Sequence, residues 1–243
     1  MRKKLVRIFG IFAAVIVALG VAFTLYVNDY YHVSDKDAAL ADTELAKLSK
    51  TELGYFFDGP GEDSALIFYP GAKVEDLAYD ELLKQIAAGG ADCFLVHMPF
   101  NLAFFGINRA NEIIGEHDYT HWYLAGHSLG GAMAAGYCAK NGDKLDGLIL
   151  LAAYSASDIS TLEIKTLSIY GSEDKVLNKT KLEDGREFMP DGYEELVING
   201  GNHAGFGDYG AQRGDGEERI SGDEQKAIAA ERILECINDL ENS

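Results

Sequence analysis

Six short, continuously apolar segments recur through the chain, separated by amphipathic stretches with helical spacing. Their apolar residues do not alternate with polar ones, so each segment predicts a strand covered on both faces, as helical crossovers produce in a parallel sheet. The segments are 65–69, 93–96, 122–125, 148–151, 167–170 and 196–198. An aromatic run at 55–57 predicts one more strand. The sequence therefore predicts an α/β fold, with a mostly parallel sheet of about six to seven strands flanked by helices.

The predicted strand at 122–125 leads directly into a glycine-rich turn, residues 126–131 (GHSLGG), which opens onto a helix of small residues. Glycines two positions before and after Ser128 allow a tight turn and a close approach of strand and helix, which leaves the serine hydroxyl exposed. Such a turn predicts nucleophilic attack on a carbonyl carbon. The alternative is a turn without chemistry, because a chain with 27 glycines can contain this pattern by chance.

A serine nucleophile needs a base, and the base needs an acid that fixes its tautomer. His203 is the only histidine after Ser128, and it follows the last predicted strand. Asp174 comes directly after another predicted strand, with Asp158 as the reserve candidate and Glu173 one residue out of register. The order serine, acid, histidine is the one expected for a nucleophile on a strand–turn–helix. The predicted triad is Ser128, Asp174 and His203.

Acyl transfer also needs two backbone N–H groups aimed at the developing oxyanion. Leu129, directly after the nucleophile, is predicted to supply one. Ala72, in the loop after the strand at 65–69, is predicted to supply the other, with Lys73 as the next choice. Side chains that follow strand ends are candidates for lining the pocket, and they are Lys73, His97, Asn101, His127 and Phe206.

The chain leaves no room for a lid at the place where one is commonly inserted. Only a short stretch centred on 157–161 separates the predicted strands at 148–151 and 167–170. The absence of a cap domain predicts an open pocket, and a substrate that is small or is presented on a larger surface. No cofactor motif is found, and neither the histidines nor the three cysteines have the spacing of a metal site or a disulfide framework.

The N-terminus predicts a membrane segment. Residues 1–7 form a basic tail expected in the cytoplasm, and residues 8–27 are free of charge and long enough to cross a bilayer as a signal anchor. Residues 28–51 would then be a connector and 52–243 the catalytic domain, outside the cytoplasm. A cleaved signal peptide, which would give a secreted protein, is the alternative, although the apolar run exceeds the usual length of such a region.

The rest of the chain is strongly acidic. Four of the 21 basic residues lie in the N-terminal segment, so the remaining 17 face 39 acidic residues, for a net charge of −22. Such a charge opposes binding to nucleic acid and to anionic lipid surfaces. The predicted partners are a small ester or acyl substrate and the membrane that holds the N-terminal helix; the oligomeric state is not predicted.

Over residues 52–240 the chain resembles the α/β-hydrolase family, through 126–131 (GHSLGG), 171–174 (GSED) and 202–210 (NHAGFGDYG). It is similar to a compact, lidless subgroup of bacterial serine hydrolases with an N-terminal membrane segment. The chain departs from many relatives at Pro70, where a histidine often precedes the oxyanion glycine. Dienelactone hydrolases share the compact architecture but use a cysteine nucleophile, so their activity is not implied.

The resemblance implies a serine hydrolase that cleaves a carboxylic ester or thioester through an acyl-enzyme. Lipase, peptidase or acyltransferase activity with the same triad stays open, since the triad does not choose the acyl acceptor. A membrane-anchored binding module without catalysis is the alternative of another class.

Overall fold

The computed structural model describes residues 2–241, and the chain divides into two units at the peptide bond between Tyr30 and Tyr31. The first unit is formed by helix α1, Arg2–Asn28. Within it, Phe9–Asn28 is long and apolar enough to cross a membrane. Met1, in the predicted basic tail, and residues 242–243, at the end of the predicted catalytic domain, lie outside the described residues.

The second unit is built on one eight-stranded sheet in the order β1-β2-β4-β3-β5-β6-β7-β8. The strands are Lys47–Thr51 (β1), Gly54–Asp58 (β2), Ser64–Tyr69 (β3), Ala91–Val96 (β4), His121–His127 (β5), Gly147–Leu151 (β6), Lys165–Gly171 (β7) and Glu194–Ile198 (β8). Strands β3 to β8 are parallel, whereas β1 and β2 pair antiparallel. All six predicted apolar segments lie in the parallel strands, which confirms the predicted α/β fold.

Strand β1 is the element that the apolar pattern did not predict. It lies in the segment 28–51 that was expected to be a connector, and it raises the strand count from the expected six or seven to eight. β1 is an edge strand with the sequence KLSKT, and most of its side chains face solvent. An edge strand needs no continuous apolar run, because neither face of it has to be buried.

Helices cover both faces of the sheet. They are Lys36–Ala39 (α2), Asp80–Ala88 (α3), Arg109–Glu116 (α4), Leu129–Asn141 (α5), Lys179–Gly185 (α6) and Gly222–Glu241 (α7). Along β3, Leu66 and Phe68 join the core under α3 and α7, while Ile67 and Tyr69 join the core under α4 and α5. The 152–164 connection between β6 and β7 contains neither helix nor strand.

The topology places several loops at one edge of the sheet. The chain passes from β3 to β4 on one side and then returns to β5 on the other side of β3. Tyr69 of β3 pairs with Gly126 of β5, so the turns that follow these two strands lie side by side. In open α/β sheets, ligands bind at the carboxyl edge where the strand order reverses in this way.

The first residues of the second unit are tied to the turn after β3. The Tyr31 N–H donates to the Lys73 carbonyl at 2.7 Å, and the Tyr31 carbonyl accepts from the Glu75 N–H at 2.8 Å. These bonds form an isolated parallel bridge between Tyr31 and Val74. The Tyr31 hydroxyl also accepts from the Arg213 N–H at 3.0 Å. Residue 31 is thus part of the folded unit.

Candidate active site

The turn around Ser128 has a strained backbone. Ser128 has φ 53° and ψ −121°, a conformation that side-chain-bearing residues rarely adopt. A Cβ on Gly130 would lie 2.0 Å from the Tyr69 carbonyl oxygen, and one on Gly126 would lie 2.5 Å from the Gly130 carbonyl carbon. Strand β5 and helix α5 therefore approach each other as the glycine spacing predicts. The turn holds a half-buried serine at the N-terminus of α5.

Asp174 and His203 form a buried pair at the carboxyl ends of β7 and β8. Asp174 Oδ2 lies 2.8 Å from His203 Nδ1, and both side chains are at most 1% exposed. The other carboxylate oxygen, Oδ1, accepts from the backbone N–H groups of Val176 and Leu177 at 2.8 Å each. Because both oxygens are engaged, the carboxylate is held in one orientation and His203 Nδ1 is the proton donor to it.

Ser128 and His203 open on the same cavity. His203 Nε2 is buried and has no hydrogen-bond partner among the described residues, so the structure contains no hydrogen bond from Ser128 Oγ to it. In enzymes without bound substrate, such catalytic hydrogen bonds are often long and tighten only in the complex. The arrangement leaves Nε2 without a partner within the described residues and therefore available to receive a proton.

The cavity beside Ser128 is small and mostly apolar. It has a volume of about 230 Å³ and is lined by Ser128, Leu129, Ala132, Ala152, Ala153, Tyr154, Val176, Leu177, Asn178 and His203. The loops after β6 and β7 thus supply most of its wall.

The five predicted pocket residues are not part of that wall. His127 and Phe206 are buried, and their rings pack on each other with centroids 5.7 Å apart, so neither lines this cavity. Lys73, His97 and Asn101 lie instead at the turn after β3 and the loop after β4. Asn101 accepts from the Lys73 N–H at 2.8 Å, and His97 Nδ1 lies 2.8 Å from an Asp76 carboxylate oxygen.

The predicted oxyanion donors differ in their surroundings. Leu129 is the first residue of α5 and lines the cavity, and its N–H has no partner among the described residues. The Ala72 N–H likewise has no partner within residues 2–241. The Lys73 N–H donates to Asn101, so it is occupied. Leu129 and Ala72 therefore stay the predicted pair.

The two other candidate acids lie away from His203. Asp158 is exposed, and its Oδ1 accepts from the N–H and the hydroxyl of Ser160, which lowers the pKa of this carboxyl. The Glu173 carboxylate contacts Arg219 and the Ser172 hydroxyl. Of the three acids considered from the sequence, Asp174 is the one that the fold brings to the histidine.

Asp215 connects the loops that carry the acid and the histidine, and sequence reasoning missed this role. One of its carboxylate oxygens accepts from the Ala204 N–H at 2.9 Å, and the other accepts from the Lys175 N–H at 3.3 Å. Each donor directly follows a member of the buried pair. Asp215 belongs to an irregular loop, so no periodic pattern in the sequence points to it.

His127 and Tyr79 form a second buried group behind the turn. His127 Nδ1 lies 2.8 Å from the Tyr79 hydroxyl, and its Nε2 lies 3.0 Å from the His203 carbonyl oxygen. Burial lowers the pKa of His127 well below its ordinary value, and the neighbouring His203 adds to this effect. His127 is therefore neutral. Within the described residues, no group of three or more histidine, cysteine, aspartate or glutamate side chains could hold a metal ion.

Solved structures of hydrolases share this fold. The comparisons include a predicted CIB-like hydrolase from Thermoplasma acidophilum (TM-score 0.60, 13% identity) and a monoacylglycerol lipase from Paleococcus ferrophilus (TM-score 0.59, 13% identity), each covering 78% of this chain and 99% of its own. The esterase domain of a Rhodothermus marinus protein matches with a TM-score of 0.56 and 10% identity, over 78% of this chain and 95% of its own. A comparison with curated protein sequences found no match.

The family assignment rests on the sequence of the second unit. Residues 65–227, which include the Ser128 turn, Asp174 and His203, match the model of the alpha/beta hydrolase family. This stretch is well over half of the 243 residues. The chain therefore belongs to the alpha/beta hydrolase family.

Proposed function

We propose that this hydrolase cleaves a carboxylic ester or thioester through an acyl-enzyme on Ser128. The Ser128 oxygen attacks the acyl carbon while His203 Nε2 takes its proton, and His203 then gives that proton to the departing alcohol or thiol. Water, activated by the same nitrogen, releases the acid and restores the serine. One observation supports this most strongly: His203, paired with the buried Asp174 at 2.8 Å, lines the same cavity as a serine on a strained turn.

In this mechanism Asp174 is the acid that orients His203. Its carboxylate keeps the Nδ1 proton in place and stabilises the positive charge that His203 gains during attack. The two backbone N–H groups on Oδ1 prevent the carboxylate from rotating away. This supports Asp174 over Asp158, whose carboxylate is exposed and bonded to Ser160.

A short acyl chain is the substrate that the cavity fits best. Its volume of about 230 Å³ and its alanine, valine and leucine lining suit a few carbon atoms and provide no cation for an acidic substrate. Two of the similar structures are described as a lipase and an esterase, which favours ester cleavage over peptide cleavage here. Lipase, peptidase and acyltransferase activities are the alternatives with the same triad.

Labelling with a fluorophosphonate probe tests the nucleophile. The wild-type protein is expected to be labelled, and Ser128→Ala is expected to abolish the labelling. Ser160→Ala is the matched control, because Ser160 is an exposed serine outside the cavity. Labelling that survives in Ser128→Ala would reject the assignment. Tight ligand binding without turnover, unchanged in this variant, would support a binding module instead.

A panel of nitrophenyl esters of increasing acyl length tests the substrate. Preference for acetyl or butyryl esters is expected from the small cavity. Preference for long chains would instead indicate a lipase and would contradict the proposed fit.

We also propose that residues 8–27 anchor the protein in the cell membrane, with the catalytic domain outside the cytoplasm. The length and composition of Phe9–Asn28 and the basic residues before it support this orientation. Protease treatment of intact cells or spheroplasts should digest the domain, and protection of the domain would overturn the topology. Release of the domain in soluble form would show that the segment is a cleaved signal.

A further inference from the structure

A continuous run of buried hydrogen bonds passes behind the Ser128 turn. The Gly71 N–H lies 3.1 Å from the Tyr79 hydroxyl oxygen, and this hydroxyl lies 2.8 Å from His127 Nδ1. His127 Nε2 then lies 3.0 Å from the carbonyl oxygen of His203. Tyr79 is fully buried, and His127 and His203 are each 1% exposed. We name this run the Tyr79–His127 relay.

The direction of each bond in the relay follows from its two backbone ends and from the neutral state of His127. A backbone N–H can only donate, so the Tyr79 oxygen accepts from Gly71. A carbonyl can only accept, so His127 carries a proton on Nε2 and donates it to His203. Because burial lowers the pKa of His127 and keeps the ring neutral, this is its only ring N–H proton, and Nδ1 accepts the hydrogen of the Tyr79 hydroxyl.

The relay joins parts of the site that come from distant positions in the chain. Gly71 precedes Ala72, the predicted oxyanion donor, and His127 precedes Ser128. The third bond ends on the backbone of His203, the proposed base. A Cβ on Gly71 would lie 2.8 Å from both His127 Nδ1 and the Tyr79 oxygen, so the absence of a side chain there makes room for the relay.

We infer that Tyr79 and His127 are positioning residues. They hold the turn after β3, which carries Ala72, and the backbone of His203 at fixed positions relative to Ser128. This inference rests on the proposed serine hydrolase activity. Small displacements of reacting groups are costly, since a shift of about 1 Å can lower a rate by about 10². Neither Tyr79 nor His127 lines the cavity, so the two side chains act on kcat through the placement of other groups.

The neutrality of His127 has a second effect on the same step. Its ring centroid lies 4.6 Å from that of His203, which becomes positively charged when it takes the serine proton. A cationic neighbour at this distance would oppose that charge. Burial lowers the pKa of His127 and so keeps the ring neutral beside His203.

Tyr79→Phe tests the inference, with Tyr69→Phe as the matched control. Both tyrosines are fully buried, and both hydroxyls make two hydrogen bonds, those of Tyr69 being to the Ile107 carbonyl and the Ala110 N–H. Both variants are expected to lower Tm to a similar extent. Only Tyr79→Phe is expected to lower kcat for a nitrophenyl ester, by about 10-fold to 100-fold, with KM nearly unchanged.

His127→Gln breaks the relay from the other side. The glutamine amide nitrogen can occupy the Nε2 position and keep the bond to His203, while the acceptor for Tyr79 is lost. A fall in kcat is expected here as well. The double variant should be no slower than Tyr79→Phe alone, because Tyr79→Phe already removes the bond between positions 79 and 127 along with the one from Gly71. This variant also serves as the test if Tyr79→Phe does not fold.

The outcomes separate this inference from the proposed function. A kcat of Tyr79→Phe within two-fold of that of Tyr69→Phe, or fully additive losses in the double variant, would overturn the positioning role. If Ser128→Ala is still labelled by the fluorophosphonate, the proposed function fails first. If Ser128→Ala is not labelled and the relay variants have the same kcat as Tyr69→Phe, only the relay inference fails.

Discussion

Replacing Asp174 by asparagine should remove most of the activity without removing the side chain's volume. Oδ1 accepts from two backbone N–H groups, so the asparagine carbonyl oxygen has to take that position. Its NH2 group then faces His203 Nδ1, where the carboxylate oxygen lies at 2.8 Å in the wild type. An NH2 group can only donate, so His203 would accept at Nδ1 and carry its proton on Nε2.

That tautomer cannot accept the serine proton. With Nε2 already protonated, His203 has no free electron pair for the Ser128 hydroxyl. A wrong tautomer in a triad lowers kcat by about 10⁴, and the transition-state charge also loses its carboxylate partner. We expect a decrease in kcat/KM of about 10³ to 10⁴, or about 4–5.5 kcal/mol of transition-state stabilisation.

The assay is hydrolysis of nitrophenyl acetate at pH 7, with Asp158→Asn as the matched control. Asp158 is the other aspartate that follows a strand end, and its exposed carboxylate is bonded to Ser160. Its variant should retain wild-type activity. An Asp174→Asn enzyme within ten-fold of the wild type, or an equal loss in Asp158→Asn, would refute the assignment of Asp174 as the orienting acid.

Three further outcomes follow from described contacts. Asp208→Asn removes a charged partner of Lys226, whose side chain is 2% exposed. The free energy of unfolding should fall by about 1–2 kcal/mol and Tm by about 4 °C in differential scanning fluorimetry. Burial lowers the pKa of His127 below 6.5, so the unfolded chain binds more protons as pH falls through 6.5. As pH falls below 6.5, this group should lower the free energy of unfolding by up to about 1.4 kcal/mol per pH unit. Urea unfolding at several pH values should show this contribution in the wild type and not in His127→Gln. Ala132→Leu narrows the cavity and should lower kcat/KM for butyryl relative to acetyl esters by about 10-fold, measured with nitrophenyl esters.

The fold could be predicted because its central strands are buried on both faces. Segments such as 148–151 must be continuously apolar to lie between two layers of helices, and such apolar runs are visible in the sequence. The Ser128 turn could also be predicted from the sequence. A Cβ atom at position 126 or 130 would clash with backbone atoms, so only glycine fits at these two positions. Asp174 and His203 followed from their places after strand ends, which parallel pairing brings to one edge.

Other features depend on contacts that no local pattern contains. The Tyr79 hydroxyl meets a histidine 48 positions away in the chain, and a buried tyrosine has the same sequence signal whether or not it makes such a bond. The cavity wall at Tyr154 and Leu177 comes from loops whose paths are set by packing, so the position of a residue after a strand does not predict whether it lines this cavity. β1 was missed because an exposed edge strand resembles a polar connector.

The bridge between Tyr31 and Val74 limits where the chain can be cut. Two backbone hydrogen bonds of residue 31 hold Lys73 and Glu75, in the turn that carries Ala72. A soluble form of the domain should therefore begin no later than residue 31. A shorter form would leave the backbone groups of Lys73 and Glu75 without the hydrogen bonds to Tyr31, beside the predicted oxyanion donor. A loss of activity in that form would then reflect these lost bonds and not the removal of the apolar helix.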